Sequence, residues 1–108
     1  MRVVGDVVAS PTFAGDLAFA LEQLLQTESY GLYHAVNAGA VSWYDFALEA
    51  IRQSGAPVEV EPILAAQRQA RAARPRFSAL ANARLGRLGI TLPAWRDGIT
   101  AYLQSTAD

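Results

Sequence analysis

The chain contains no cysteine, no lysine and only one histidine, His34. Without cysteine it can hold no disulfide framework, no thiolate nucleophile and no Cys-ligated zinc, which fits a reducing compartment. A single histidine excludes a His-rich metal site, and we predict no metal in this chain. A Ser/His/Asp arrangement would have to combine His34 with Ser10 or Ser42 and Asp16. Because a lone histidine in a β-favouring segment more often packs or bonds the backbone, we interpret His34 as structural.

Strong net charge and long apolar runs are also missing. The formal net charge is −1 and the sequence pI is about 5.7, so no positive field draws the chain to nucleic acid or an anionic membrane. The apolar runs are too short to span a bilayer, and the first six residues lack the apolar core of a signal peptide. We therefore predict a cytoplasmic protein with neither a nucleic-acid nor a membrane partner.

Apolar residues, by contrast, are plentiful. They make up 52% of the 108 residues, against 18% charged residues. A chain of this length fits a single domain, residues 1–108, that buries roughly 60 to 70% of its unfolded surface. The apolar excess suggests an exposed patch that seeks a partner, so we expect a homo-oligomer.

Periodicity predicts alternating strands and helices in the first half of the chain. The valine pairs around Gly5 and Asp6 favour one or two short strands. A helix is expected over residues 14–26, capped by Thr12. Residues 32–36 read as a buried strand that ends at the turn formers Asn37 and Gly39. A second helix should begin after Ser42 and stop at Gly55.

The second half continues the alternation. Residues 58–61 alternate apolar and charged side chains and predict a half-exposed strand ended by Pro62. Residues 65–76 suggest a solvated helix or a partly mobile connection. A short helix capped by Asn82 and a last helix with Pro93 in its first turn complete the pattern. The class is α/β, with a small mixed β-sheet packed by about four helices.

Four short motifs follow one another in a familiar order. They are Ser10-Pro11-Thr12 with Asp16-Leu17-Ala18, then Tyr33-His34-Ala35-Val36-Asn37, then Arg74-Pro75 before Ser78-Ala79-Leu80, and finally Pro93 with Trp95-Arg96. Together they resemble the last third of the dTDP-4-dehydrorhamnose reductases, which are extended short-chain dehydrogenases/reductases. A departure lies at residues 5–9, where relatives usually show Asp-Asp-Gln-x-Gly.

The resemblance implies the C-terminal, substrate-lobe portion of an NAD(P)-binding Rossmann-type reductase. The family's catalytic pair is a tyrosine with a lysine four residues later, so a chain without lysine holds no catalytic residue of this kind. A dinucleotide site needs closely spaced glycines between a strand and a helix, whereas the eight glycines here are scattered. We therefore expect the chain to bind no cofactor and to do no catalysis alone. NADPH or NADH would bind the missing N-terminal Rossmann half of the parent enzyme.

Two residues are candidates for contact with the nucleotide-sugar substrate. Arg74 belongs to the only basic cluster of the chain, and guanidinium groups suit a diphosphate. Thr12 lies in the motif that shapes the family's substrate lobe. Each residue also has an ordinary interpretation, because surface arginines are often merely solvated and a threonine before a helix often caps it. The cluster comprises Arg68, Arg71, Arg74 and Arg76.

Three hypotheses about function remain at this point. The leading one is the substrate-binding part of dTDP-4-dehydrorhamnose reductase, which reduces dTDP-4-dehydro-L-rhamnose to dTDP-L-rhamnose. A second is a non-catalytic regulatory module like the β subunit of methionine adenosyltransferase, which shares this lobe. The third is an unrelated small α/β interaction domain.

Overall fold

A computed structural model describes residues 1–68 and 74–106, and within them four strands and four helices. The strands are β1 (Arg2–Val4), β2 (Val8–Ala9), β3 (Val41–Ser42) and β4 (Glu61–Ile63). The helices are α1 (Ala14–Leu25), α2 (Trp43–Ser54), α3 (Ala83–Arg87) and α4 (Trp95–Ser105), and a 3₁₀ turn covers Ala65–Gln67. The α/β class with four helices is confirmed. Both strand orientations occur, divided between a parallel pair, β1 with β4, and an antiparallel pair, β2 with β3.

The strand predicted at residues 58–61 lies further along the chain. Only Glu61 belongs to β4, and Pro62 sits inside this strand opposite Val3 instead of ending it. β4 is an edge strand, where a proline costs no ladder bond if its nitrogen faces outward. The ladder continues on both sides of the proline, since Glu61 N–H donates to the Met1 carbonyl and Gly5 N–H donates to the Ile63 carbonyl.

Helix α2 begins and ends as the sequence predicts. The Ser42 hydroxyl accepts from Asp45 N–H at 3.1 Å, and Gly55 closes the helix with a φ of 71°. The predicted cap of α1 is wrong, because Phe13, not Thr12, occupies its N-cap position. Asn82 occupies the N-cap position of α3 as predicted, but its side chain makes no capping bond there. Pro93 lies just before Ala94, the N-cap residue of α4, so it directs the chain into the helix from outside.

The predicted strand at residues 32–36 has no strand partner among the described residues. Side chains of α3 and its cap contact this segment instead: Asn82 accepts from Val36 N–H at 2.9 Å and donates to its carbonyl at 2.7 Å. The Arg84 guanidinium donates to the Leu32 carbonyl at 2.7 Å. Burial still alternates, because Tyr33 and Ala35 pack against the core while Leu32 and His34 are exposed. The segment therefore has a strand's periodicity without a strand's ladder.

The core is small and divided. One cluster is built on Ala20, Leu85, Ile90 and Leu92, and the other on Val41, Trp95 and Ile99. The radius of gyration is 15.7 Å, and the chain forms a slab with extents of 46 × 37 × 20 Å. A compact domain of this length has a radius of about 13 Å. The flat shape leaves many large apolar side chains at the surface.

Candidate functional site

Asn37 is a buried polar residue whose hydrogen bonds join several segments of the described structure. Its side chain is 1% exposed, and its Oδ1 accepts from Phe13 N–H at 2.8 Å, at the start of α1. Its Nδ2 donates to Asp16 Oδ2 at 2.9 Å and to the Pro93 carbonyl at 3.2 Å. Its own N–H donates to the Thr12 hydroxyl at 3.1 Å. One buried amide thus ties the start of α1 to the start of α4.

The sequence indicated Asn37 only as a turn former. A signal was present, because a polar residue directly follows a run of apolar and aromatic residues and can only be buried if its amide is fully bonded. The structure meets that condition, since no buried side-chain nitrogen or oxygen in residues 1–68 and 74–106 lacks a partner. Three of the four family motifs meet at this residue.

The fourth motif, with Arg74 and Arg76, joins the same framework through β2. Val8 N–H donates to the Arg76 carbonyl at 2.7 Å, and Ser78 N–H donates to the Val8 carbonyl at 2.9 Å. The Ser10 hydroxyl then accepts from Leu80 N–H at 2.9 Å. The backbone that carries Arg76 is therefore fixed at two points of the strand.

A cavity of about 910 Å³ opens beside this anchored segment. β1, the 3₁₀ turn and the segment at residues 74–76 form its walls. Among the residues that the structure describes, its charged lining consists of Arg2, Arg68, Arg74 and Arg76, with no Asp or Glu. Trp43, which is 41% exposed, also lines it. This arginine cavity therefore combines four arginines with an aromatic side chain, and arginine is a residue type that suits phosphate groups.

These arginines form no salt bridge with the described residues, where the single ion pair joins Arg52 to Glu49. The hydrogen bond from Arg52, assisted by Gln53, lowers the pKa of Glu49 to about 2. A carboxylate with a lowered pKa stabilises the fold above its unfolded value of 4.5, and this contribution is lost as the pH falls towards 2. This pair lies at a different cavity, so it does not neutralise the arginines of the arginine cavity.

The two predicted substrate-binding residues line different cavities. Arg74 lines the arginine cavity, whereas Thr12 lines an apolar cavity of about 660 Å³ between α1, α2 and α4. The Thr12 hydroxyl is engaged within the chain, because it donates to the Ser10 carbonyl at 3.0 Å and accepts from Asn37 N–H. Trp43 lines both cavities and separates them. Of the predicted basic cluster, Arg71 and the rest of residues 69–73 lie outside the described residues.

The described residues offer no cradle for a dinucleotide. Gly86 and Gly89 stand at the end of α3, which has only five residues, and Gly89 terminates it with a φ of 77°. No closely spaced glycines precede a helix in the way that a pyrophosphate site requires.

Two of the tyrosines have packing roles. Tyr33 packs against the core, and Tyr102 lies edge-on to Phe13 at 6.3 Å between ring centroids. In residues 1–68 and 74–106, no helix is both long and apolar enough to cross a bilayer.

Comparison with known sequences identifies relatives along the whole chain. The model of the RmlD substrate binding domain matches residues 1–107. The Bacillus subtilis spore coat polysaccharide biosynthesis protein SpsK is 34% identical over 104 residues, which are 96% of this chain and 36% of that protein. The dTDP-4-dehydrorhamnose reductase of Mycolicibacterium smegmatis is 36% identical over 98% of this chain and 35% of its own length. The chain thus spans about a third of the length of these curated relatives.

Solved structures give the same answer for the fold. The dTDP-4-dehydrorhamnose reductase of Bacillus anthracis, solved in complex with NADP, superposes on this chain with a TM-score of 0.93 and is 32% identical to it. The superposition covers 97% of this chain and 38% of the B. anthracis chain. The Clostridium acetobutylicum orthologue gives 0.92 at 31% identity, over 100% of this chain and 39% of its own. The fold is therefore the one found within Rossmann-type reductases. More narrowly, the chain belongs to the RmlD substrate binding domain family.

This membership excludes the unrelated interaction domain considered from the sequence. The resemblance carried by the four motifs is confirmed.

Proposed function

We propose that this chain is the substrate-binding part of a dTDP-4-dehydrorhamnose reductase, and that it holds a dTDP-linked sugar while the rest of the parent enzyme reduces it. The observation that carries this proposal is the arginine cavity, whose charge suits a nucleoside diphosphate. The similarity to M. smegmatis and B. anthracis reductases supports the same substrate class. The parent enzyme would act in the cytoplasm.

Within the cavity, Arg74 contacts the diphosphate of the nucleotide. A guanidinium group offers a planar fork of donors that matches two phosphate oxygens, and it stays charged at any physiological pH. Arg76 adds charge from a backbone held by β2, and Trp43 offers an apolar face to the base or the sugar. Thr12 serves the substrate indirectly, by joining the family's Ser-Pro-Thr turn to Asn37.

The reduction itself belongs to the other part of the parent enzyme. By family resemblance, NADPH or NADH would donate hydride to the C4 keto group, and a Tyr/Lys pair outside this chain would supply the proton. The residues described here fit neither role. The contribution of this chain is to bind and orient the substrate.

Arg74→Ala is expected to weaken binding of dTDP by roughly 10- to 100-fold, because a charge-assisted pair of hydrogen bonds contributes about 1.5 to 3 kcal/mol. Titration of dTDP into the purified chain, followed by calorimetry and amide NMR shifts, measures the effect. Arg87→Ala is the matched control, since Arg87 is an exposed arginine at the end of α3 and lines none of the cavities described above.

Two results would contradict the proposal directly. If wild-type protein showed no NMR shifts near Arg74 at millimolar dTDP, the proposed binding site would be wrong. If the purified chain transferred hydride with no added protein, the assignment of catalysis to the other part of the parent enzyme would be wrong. Binding without any recovery of turnover, when the remaining part of a family reductase is supplied, would favour the regulatory module.

The partner surface of the chain lies on α1. Leu17, Leu21 and Leu25 recur every four residues along this helix, so they form one apolar stripe, and they are left 40%, 50% and 76% exposed. An apolar stripe on a helix normally packs against another element of the protein. We propose that the missing Rossmann half of the parent enzyme covers it.

The segment at residues 32–36 extends that surface. Asn82 and Arg84 bond the backbone of Leu32 and Val36, which face one edge of the segment. Backbone groups of alternate residues in an extended strand point to opposite edges, so those of Tyr33 and Ala35 are available to another strand. The proposed occupant is the Rossmann part of the parent enzyme, since the part of a relative that this chain does not match makes up about two thirds of that relative's length.

Without this occupant, the purified chain is expected to self-associate through α1, because exposed apolar patches of this kind drive association. The double variant L21E/L25E should sediment as a monomer where the wild type forms dimers or larger species. Leu48→Glu, which changes a 40% exposed leucine on α2, is the control and should leave association unchanged. A wild-type chain that stays monomeric at high concentration would show that α1 is not an association surface.

A further inference from the structure

A hydrogen bond across 59 positions joins the end of β1 to the wall of the arginine cavity. Ala65 N–H donates to Asp6 Oδ1 at 2.8 Å. Asp6 is half-buried and follows Gly5, whose N–H continues the ladder with β4. The family resemblance assigns no role to this carboxylate.

The bond closes the start of the 3₁₀ turn at Ala65–Gln67. The first N–H groups of such a turn have no acceptor within it, and the preceding residue, Leu64, has no side-chain oxygen to offer. Asp6 supplies the acceptor for Ala65, and Gln67 Oε1 accepts from Leu64 N–H at 2.7 Å. Two side-chain acceptors therefore set the geometry of the turn.

The turn determines where Arg68 stands. Ala65 and Ala66 line the arginine cavity, and Arg68 follows them as the C-cap residue, its N–H bonded to the Ala65 carbonyl at 3.1 Å. A turn released from Asp6 would lose its fixed position relative to β1, which carries Arg2, another lining residue of the cavity. The separation of the two guanidinium groups would then vary.

We infer that Asp6 is a positioning residue for the anion site, holding the turn so that Arg68 faces the same diphosphate as Arg74. This inference rests on the proposed function, because it assumes that the cavity binds a nucleoside diphosphate. Asp6 touches no ligand itself. Its negative charge opposes anion binding, so its benefit comes from the hydrogen bond alone.

Two substitutions separate the hydrogen bond from the charge. D6N and D6A remove the same negative charge, but only the asparagine keeps an oxygen that accepts from Ala65 N–H. D6A is expected to bind dTDP roughly five- to tenfold more weakly than wild type, the effect of losing one such bond. D6N should bind as well as wild type or more tightly. Calorimetry measures both affinities, and amide exchange at Ala65 without ligand reports the bond directly.

Ala65→Pro tests the same bond from the donor side and replaces D6A if that variant does not fold. Proline removes the N–H and is tolerated at the first position of a turn. It should bind dTDP at least as weakly as D6A, because it loses the same hydrogen bond and keeps the negative charge of Asp6, and the double variant D6A/A65P should be no weaker than A65P. Equal affinities of D6N and D6A would overturn the positioning role while leaving the arginine cavity intact. Absence of dTDP binding by the wild type would overturn both proposals.

Discussion

Asn37→Ala is expected to lower the free energy of unfolding by about 2 to 4 kcal/mol, the largest effect of any single truncation considered for this chain. The substitution leaves Phe13 N–H, at the start of α1, without its acceptor, and removes the donor to Asp16 and to the Pro93 carbonyl. A buried polar group left unpaired costs more than the bond itself contributed. Because two small clusters form the core, the remaining packing offers little compensation.

Urea unfolding followed by circular dichroism measures this change. Asn82→Ala is the comparison variant, since Asn82 also makes two bonds to backbone, both to Val36, but is only half-buried. Its expected cost is about 1 to 2 kcal/mol, because water replaces part of what is lost. Equal costs for the two variants would show that the burial of Asn37 adds nothing to the strength of its hydrogen bonds.

Gly98→Ala is also expected to have a large effect, lowering the free energy of unfolding by about 2 to 4 kcal/mol, even though alanine is the better helix former. A Cβ at this position of α4 would lie 2.5 Å from Asn37 Oδ1 and 3.4 Å from Phe13 Cβ. The Asn37 amide cannot retreat without breaking the three bonds that hold it. Overpacking of this kind costs about 1 to 3 kcal/mol, and the loss of those bonds adds to it.

Gly86→Ala is the matched control, because it makes the same substitution within a helix. Nothing lies within 4 Å of a Cβ at Gly86, so the variant should gain up to about 1 kcal/mol from helix propensity. The two variants are thus expected to shift the urea midpoint in opposite directions. In the double variant N37A/G98A the clash disappears, so its cost should fall well below the sum of the single costs. Strict additivity would contradict the contact between Gly98 and Asn37.

Local signals were sufficient for the helices. Ser42 and Gly55 bound α2 as predicted, because a cap and a left-handed glycine act within one turn of the chain. The predictions failed where a side chain had both a nearby partner and a distant one. Asn82 could cap α3, but it bonds Val36 instead, and the sequence alone cannot rank a near partner against one 46 positions away.

Strand prediction failed for a related reason. Residues 32–36 have the composition and the alternation of a strand, yet a strand also needs a neighbour, and none of the described residues supplies one. Pro62 was predicted to end a strand, but it lies within β4, because a proline in an edge strand does not have to donate a ladder hydrogen bond. Strand pairing depends on which segments meet in the folded sheet, so it cannot be predicted from residues 32–36 or from residues 61–63 taken separately.

For the candidate site, the family motifs, the absence of lysine and the place of Arg74 before Ser78 can be read directly from the amino acids. Folding is what brings Arg2 and Arg68 to the cavity that Arg74 lines, places Thr12 at another cavity, and joins the motifs through Asn37. Distance along the chain explains this difference. Residue types and local propensities act over a few positions, whereas a charged cavity and a buried amide depend on segments that meet only after the chain has folded.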